Sequence, residues 1–271
     1  MKNRLLSLAV FSLCCFQFTS CTKEESLAAT DSTPVVASAS IDLANELDIQ
    51  AGLQVSYEKL TAKLTGKTLT ASCALVTMDP VTTTFPKTFY VDFGTAGCTV
   101  NNITRKGKLK ITFSGNITET GSTMTVERVN YYINSNKVEG KITYKNSTVT
   151  AATPEWTRTV ADGIFTDAKG NVYQNSGSYT VRLTAGASTP TFDDNSYEMT
   201  QGTTTITNQN GGKMTLTVTQ SLIKNASCDF ISKGKIKVES TILNGTIDYG
   251  AGDCDNKATY TQNGIEFPIT M

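Results

Sequence analysis

The chain has no histidine at all. That absence removes Ser-His-Asp and Cys-His catalysis, histidine metal sites and imidazole pH switching together. Net charge is also missing, with 24 Lys+Arg against 24 Asp+Glu. There is therefore no basic field for nucleic acid and no strongly acidic character. No long apolar run is present either: the best, Leu5 to Phe18, is broken by Ser12 and Gln17 and falls short of a bilayer span. Helical periodicity long enough for a βαβ crossover is lacking, which argues against a parallel α/β fold.

What is present begins with the signal. Lys2 and Arg4 precede the short apolar run, and Phe18-Thr19-Ser20-Cys21 resembles a lipobox, in which a cysteine is acylated and becomes the new N-terminus. An ordinary secretory signal cleaved after Ser20 is the alternative, but a cysteine at the next position suits only the lipid reading. Residues 1–20 are thus read as a signal peptide and Cys21 as the lipidation site, anchored in outer-membrane lipid. Acyl chains add about 0.8 kcal/mol per buried methylene. Lys23-Glu24-Glu25 resembles the signal for display on the outer face of the outer membrane in Bacteroidota-type lipoproteins; a solvated charge run, with the protein on the periplasmic face, is the alternative. Cleavage leaves a net charge of −2.

Residues 21–50 are expected to form a lipidated tether. Within it, 22–40 reads as flexible from its Thr, Ser, Ala and acidic content, and Ile41 to Asp48 as one short helical stretch. Asp31-Ser32-Thr33 resembles a Bacteroidota O-glycosylation acceptor at Ser32. From about Gly52 onward the pattern is strand-like, and 51–271 is read as one antiparallel β domain. Leu109-Lys110-Ile111-Thr112-Phe113 and Met214-Thr215-Leu216-Thr217-Val218 alternate apolar and polar residues, as a sheet with one wet face requires. Asp167 to Asn171, with Gly170 at the left-handed position, suits a hairpin with a type I turn and a bulge. The fold expected is an all-β antiparallel meander forming an extended curved sheet, with a two-sheet sandwich as the alternative.

Cysteine usage fits an oxidising compartment. With Cys21 assigned to lipid, Cys73, Cys98, Cys228 and Cys254 remain in the mature chain, and no C-x₂₋₄-C spacing supports the competing zinc site. An internal echo chooses among the three pairings. Ala71-Ser72-Cys73 recurs as Ala226-Ser227-Cys228, and Val91-Asp92-Phe93-Gly94 before Cys98 recurs as Ile247-Asp248-Tyr249-Gly250 before Cys254. Two copies of one pattern predict Cys73–Cys98 and Cys228–Cys254, each contributing about 3 kcal/mol.

The run from Gly250 through Cys254-Asp255-Asn256 to Asn263-Gly264 resembles the C-terminal signature of uncharacterised Bacteroidota outer-membrane lipoproteins. The resemblance covers most of residues 70–271 and transfers no catalytic residue. Asp253, Asp255 and Asn256 offer hard oxygen ligands in a glycine-rich turn, a candidate calcium site, although the loop lacks the alternation and terminal Glu of an EF-hand. Asp193-Asp194-Asn195 reads as a turn. Trp156 is either core or a sugar-stacking platform with Tyr131, Tyr132 or Tyr173. Nothing singles out a catalytic pair, so the reading is a non-enzymatic envelope protein with a structural or binding role, its partner a glycan or an envelope protein. A carrier cradling a lipid or glycan in a sheet concavity is the alternative.

Overall fold

The computed structural model describes residues 31–59, 67–68, 73–150, 153–189 and 191–271. One helix, α1 (Thr33–Lys59), precedes fifteen strands: β1 (Lys67–Thr68), β2 (Leu75–Met78), β3 (Lys87–Asp92), β4 (Cys98–Val100), β5 (Ile103–Phe113), β6 (Thr123–Ile133), β7 (Asn136–Asn146) and β8 (Glu155–Thr166). They continue with β9 (Val172–Ala185), β10 (Ser196–Asn208), β11 (Lys213–Asn225), β12 (Lys233–Glu239), β13 (Asn244–Ala251), β14 (Lys257–Gln262) and β15 (Ile265–Thr270). All belong to one sheet in chain order, and β4 is a short spur on β5. Every pairing is antiparallel, and among the described residues β1 and β15 are the two ends of a sheet that does not close. The expected curved meander is what forms.

Alternation explains the strands. On β5, Leu109, Ile111 and Phe113 are sealed inward, while Lys108, Lys110 and Thr112 face out. A hydroxyl row crosses the outer face strand by strand: Thr88, Thr112, Thr125, Thr143, Thr159, Ser178, Thr203 and Thr217 are successive register partners from β3 to β11. Cross-strand threonine pairs are stabilising neighbours, and Thr88 and Thr112 share a hydrogen bond at 3.1 Å. The register slips between Lys106 and Lys108 on β5 and between Glu139 and Lys141 on β7, among other places. Such bulges bend and twist a sheet. Gly107 sits at the first slip with φ +82°, where a Cβ would collide with the carbonyl of Asn130.

The helix corrects the sequence reading. Residues 22–30 of the expected tether lie outside the described residues. Residues 33–40 of that tether and the short helix over 41–48 belong to one helix of 27 residues, about 40 Å long at 1.5 Å per residue. It also continues past Gly52, where strands were expected. Its start is well capped: the Ser32 carbonyl accepts from the amides of Val35 and Val36, Asp31 Oδ1 accepts from the Thr33 amide, and Pro34 falls in the first turn, where no N–H is needed. Val35, Ala39, Ile41, Ala44, Leu47, Leu53 and Val55 are all buried, and they point to every side of the helix. A helix with apolar residues buried on every side belongs in a core. The curved sheet wraps α1, and Gly52 lets it approach β6 where a Cβ would meet Met124 Sδ. Among the described residues, no helix is long and apolar enough to cross a membrane.

Candidate functional site

The helix carries polar side chains into this core, and the sheet answers Asp42, Asn45, Glu46, Asp48 and Gln50. Asp48 is fully sealed and accepts from Arg105 Nη2 on β5 at 3.0 Å, Arg128 Nε on β6 at 2.7 Å and the Tyr131 hydroxyl at 2.6 Å. Arg128 also donates to Asn45 Oδ1 at 2.8 Å and to the Glu139 carbonyl at 3.2 Å. Arg105 lays its guanidinium on the Phe93 ring, 4.1 Å from the centroid, and donates through Nε to the Tyr131 hydroxyl. Burial, above all, holds the Tyr131 phenol well above its ordinary pKa, so it acts as a donor to Asp48.

One turn earlier, Arg158 of β8 serves two carboxylates. Its Nη1 pairs with Glu46, its Nη2 lies 4.0 Å from Asp42, and its guanidinium covers the Tyr179 ring at 4.3 Å. Tyr249 of β13 donates to Asp42 Oδ2 at 3.2 Å. Burial pushes the Asp42 carboxyl up to about 6, with Glu46 adding to the rise and Arg158 and Tyr249 opposing it. Further along, Lys224 of β11 donates to Gln50 Oε1 at 2.9 Å, to the Asn225 carbonyl at 3.1 Å and to the Cys228 carbonyl. Desolvation lowers its ammonium to about 8 against the attraction of Glu46 and Asp229. Gln50 completes this knot by donating to the Ala226 carbonyl at 2.7 Å.

Chemically, these groups hold the helix in place. Asp42, Glu46 and Asp48 are 3%, 8% and 0% exposed, so each is largely or wholly withdrawn from solvent. Buried charges of this kind persist only when paired and hydrogen-bonded.

Both predicted disulfides are formed, Cys73–Cys98 and Cys228–Cys254. Each clasps the two ends of a hairpin, β2–β3 or β12–β13. The echo extends to side chains. Asp92 Oδ1 accepts from the Gly94 amide and Asp248 Oδ1 from the Gly250 amide, at 2.8 and 2.9 Å. Their second oxygens pair with Lys108 and Lys235, both at 2.8 Å, and Phe93 and Tyr249 both turn inward. The lysines come from neighbours on opposite sides, Lys108 from β5, beyond β3 in the sheet, and Lys235 from β12, before β13. Ala71 and Ser72 lie outside the described residues. The two modules meet where Asn101 Nδ2, after β4, donates to Asp229 Oδ2 at 2.8 Å.

A cleft of about 280 Å³ opens beside that contact, between β4, α1 and the loops at Asp193 and Asp229. Neither this cleft nor the buried charge network was visible in the sequence reading. The signal available was the run of acids at 42, 46 and 48 inside an otherwise apolar segment, since carboxylates at i and i+4 share one helix face.

The remaining candidates are distributed as follows. Cys21 and the signal lie outside the described residues. Ser32 is the helix N-cap. Asp253 is exposed, Asp255 Oδ1 accepts from the Lys257 amide at 3.0 Å, and Asn256 Nδ2 donates to the Met271 carbonyl at 3.4 Å. Asp248, Asp253 and Asp255 line one shallow hollow with Lys257, and Asp248 is already paired. Among the described residues, no three His, Cys, Asp or Glu side chains are grouped to hold a metal ion. Asp194 accepts from Thr189 at 2.9 Å within a turn. Trp156 is core: it stacks on Tyr144 at 5.6 Å and donates to the Ile117 carbonyl at 3.0 Å. Tyr131 and Tyr173 are buried, and Tyr132 is exposed. No family model, no curated protein and no solved structure matches the chain.

Proposed function

We propose that this chain is a non-enzymatic lipoprotein of the cell envelope, anchored in the outer membrane through acylated Cys21 and displayed on its outer face as a structural or binding scaffold. The observation that carries this reading is the combination of a lipobox cysteine with two formed disulfides, which belong to oxidising compartments. The resemblance of the Gly250–Asn256 turn to Bacteroidota lipoproteins and the Lys23-Glu24-Glu25 run support the outer face. The buried, fully engaged carboxylates of α1 support a scaffold over an enzyme. The helix occupying the concave face of the sheet counts against a carrier that holds a lipid or glycan there.

The anchor is tested by Cys21→Ala in the native host. Acyl labelling and membrane retention are both expected to disappear, and labelling that persists would refute it. Protease shaving of intact cells tests the face: loss of the full-length band supports display, and protection places the protein on the periplasmic side.

A further inference from the structure

The geometry points to the cleft between β4 and the Asp229 loop as a binding site for a small zwitterion, an α-amino acid or dipeptide with an apolar side chain. The argument starts from charge. Two guanidinium groups, Arg105 and Arg128, converge on the single carboxylate of Asp48, so Arg105 has to share that counter-ion. Arg128 is sealed, but Arg105 lines the cleft and is 14% exposed. Its Nε and Nη2 are committed to Tyr131 and Asp48, and Nη1 has no partner among the described residues. A guanidinium fixed on both sides, by the Phe93 face and by Asp48, is a preorganised receptor for a carboxylate.

The same cleft is also lined by two carboxylates, Asp193 and Asp229. Asp229 is held there by the Asn101 amide, which occupies only Oδ2. A simple anion would gain Arg105 and be repelled by these acids, and a simple cation would meet the reverse. A molecule with a carboxylate at one end and an ammonium at the other satisfies both. Phe93, Ile103 and Phe192 supply apolar wall between the charged groups. A volume of about 280 Å³ lies at the small end of ligand pockets, enough for one or two residues and too little for an extended chain. The assignment does not depend on the lipid anchor.

Isothermal titration of the full-length chain in detergent tests it with L-phenylalanine, a phenylalanine-containing dipeptide, 3-phenylpropanoate (the carboxylate alone) and phenethylamine (the ammonium alone). A zwitterion is expected to bind saturably and about tenfold more tightly than either truncated probe. Asp229→Asn is expected to cut that affinity about tenfold, and Asp253→Asn, outside the cleft, to leave it unchanged. Arg105→Gln also disturbs Asp48, so the rim variant carries the test. No saturable heat from either zwitterion, equal binding of 3-phenylpropanoate, or full affinity in Asp229→Asn would each overturn the assignment. Acylation of Cys21, read by mass on the same sample, keeps the anchor separate from this result.

Discussion

Arg128 Nε donates to Asp48 Oδ2 at 2.7 Å across 80 residues of sequence, and the two side chains are 1% and 0% exposed. This pair ties the helix directly to the sheet around it. Removing one partner of a buried pair costs about 3–5 kcal/mol, because the other charge is left without compensation. Asp48→Asn strands two guanidinium groups, so a loss of that size is expected in the denaturant unfolding midpoint. Glu127→Gln, which breaks the half-exposed pair with Lys110 at 3.4 Å, should cost less than about 1 kcal/mol. Equal effects would mean that the buried cluster contributes nothing special.

Two groups predict opposite pH slopes. The folded pKa of Asp42 is raised to about 6 from an ordinary 3.8, so the folded state holds that proton more tightly than the unfolded one. Its contribution is therefore most favourable below about pH 4 and falls as pH rises through 6. Asp42→Asn should gain on the parent over that interval by up to about 3 kcal/mol and then hold level. The folded pKa of Lys224 is lowered to about 8 from 10.5, so the unfolded state binds its proton more tightly, and stability recovers as pH rises from 8 through 10.5. Lys224→Met should lose its advantage across that range. Variant-minus-parent stability, measured by denaturation at stepped pH, reads both arms, and a flat difference in either denies the burial argument for that group.

Each disulfide closes a loop of similar length, with sequence separations of 25 and 26. Replacing either pair by serine should cost about 3 kcal/mol. The second pair also anchors the loop whose Cys228 carbonyl accepts from Lys224, so its loss should speed hydrogen exchange at residues 226–232 beyond any change the first pair produces there. Identical exchange in both variants would contradict that coupling.

Gly107→Ala places a methyl group against the Asn130 carbonyl at a positive φ. A destabilisation of about 2 kcal/mol or more is expected. Gly170→Ala is also at positive φ, but with open space around it, and should cost less. Thermal melts of the two variants decide whether close packing at the bulge adds to the conformational strain.

Much of the sheet could be read directly from the chain, because the information is local. The alternation at Leu109–Phe113 and Met214–Val218 reports which side of a pleat is dry. In the Asp167–Asn171 turn, Gly170 is left-handed at φ +89° and Asp167 caps the turn as expected. The disulfide pairing was available from repetition alone. The helix was hidden for two physical reasons. Amphipathic patterning reveals a helix with one wet face, and α1 has none. The arginines that neutralise its carboxylates and the tyrosines that donate to them also lie from 57 to more than 200 residues away. The cleft was hidden for a similar reason: Arg105, Asp193 and Asp229 come from three distant segments.

That α1 precedes every strand it is packed against has a consequence in time. Each strand from β5 to β15 pairs with the one made immediately before it, so the wall grows by adding neighbours in the order of synthesis. A chain delivered N-terminus first presents the α1 segment before any of the strands that bury it exists. Until β8 arrives, Glu46 has no Arg158, and until β13 arrives Asp42 has no Tyr249. The charged side chains of that segment therefore gain their partners one strand at a time, as the sheet that holds them is added.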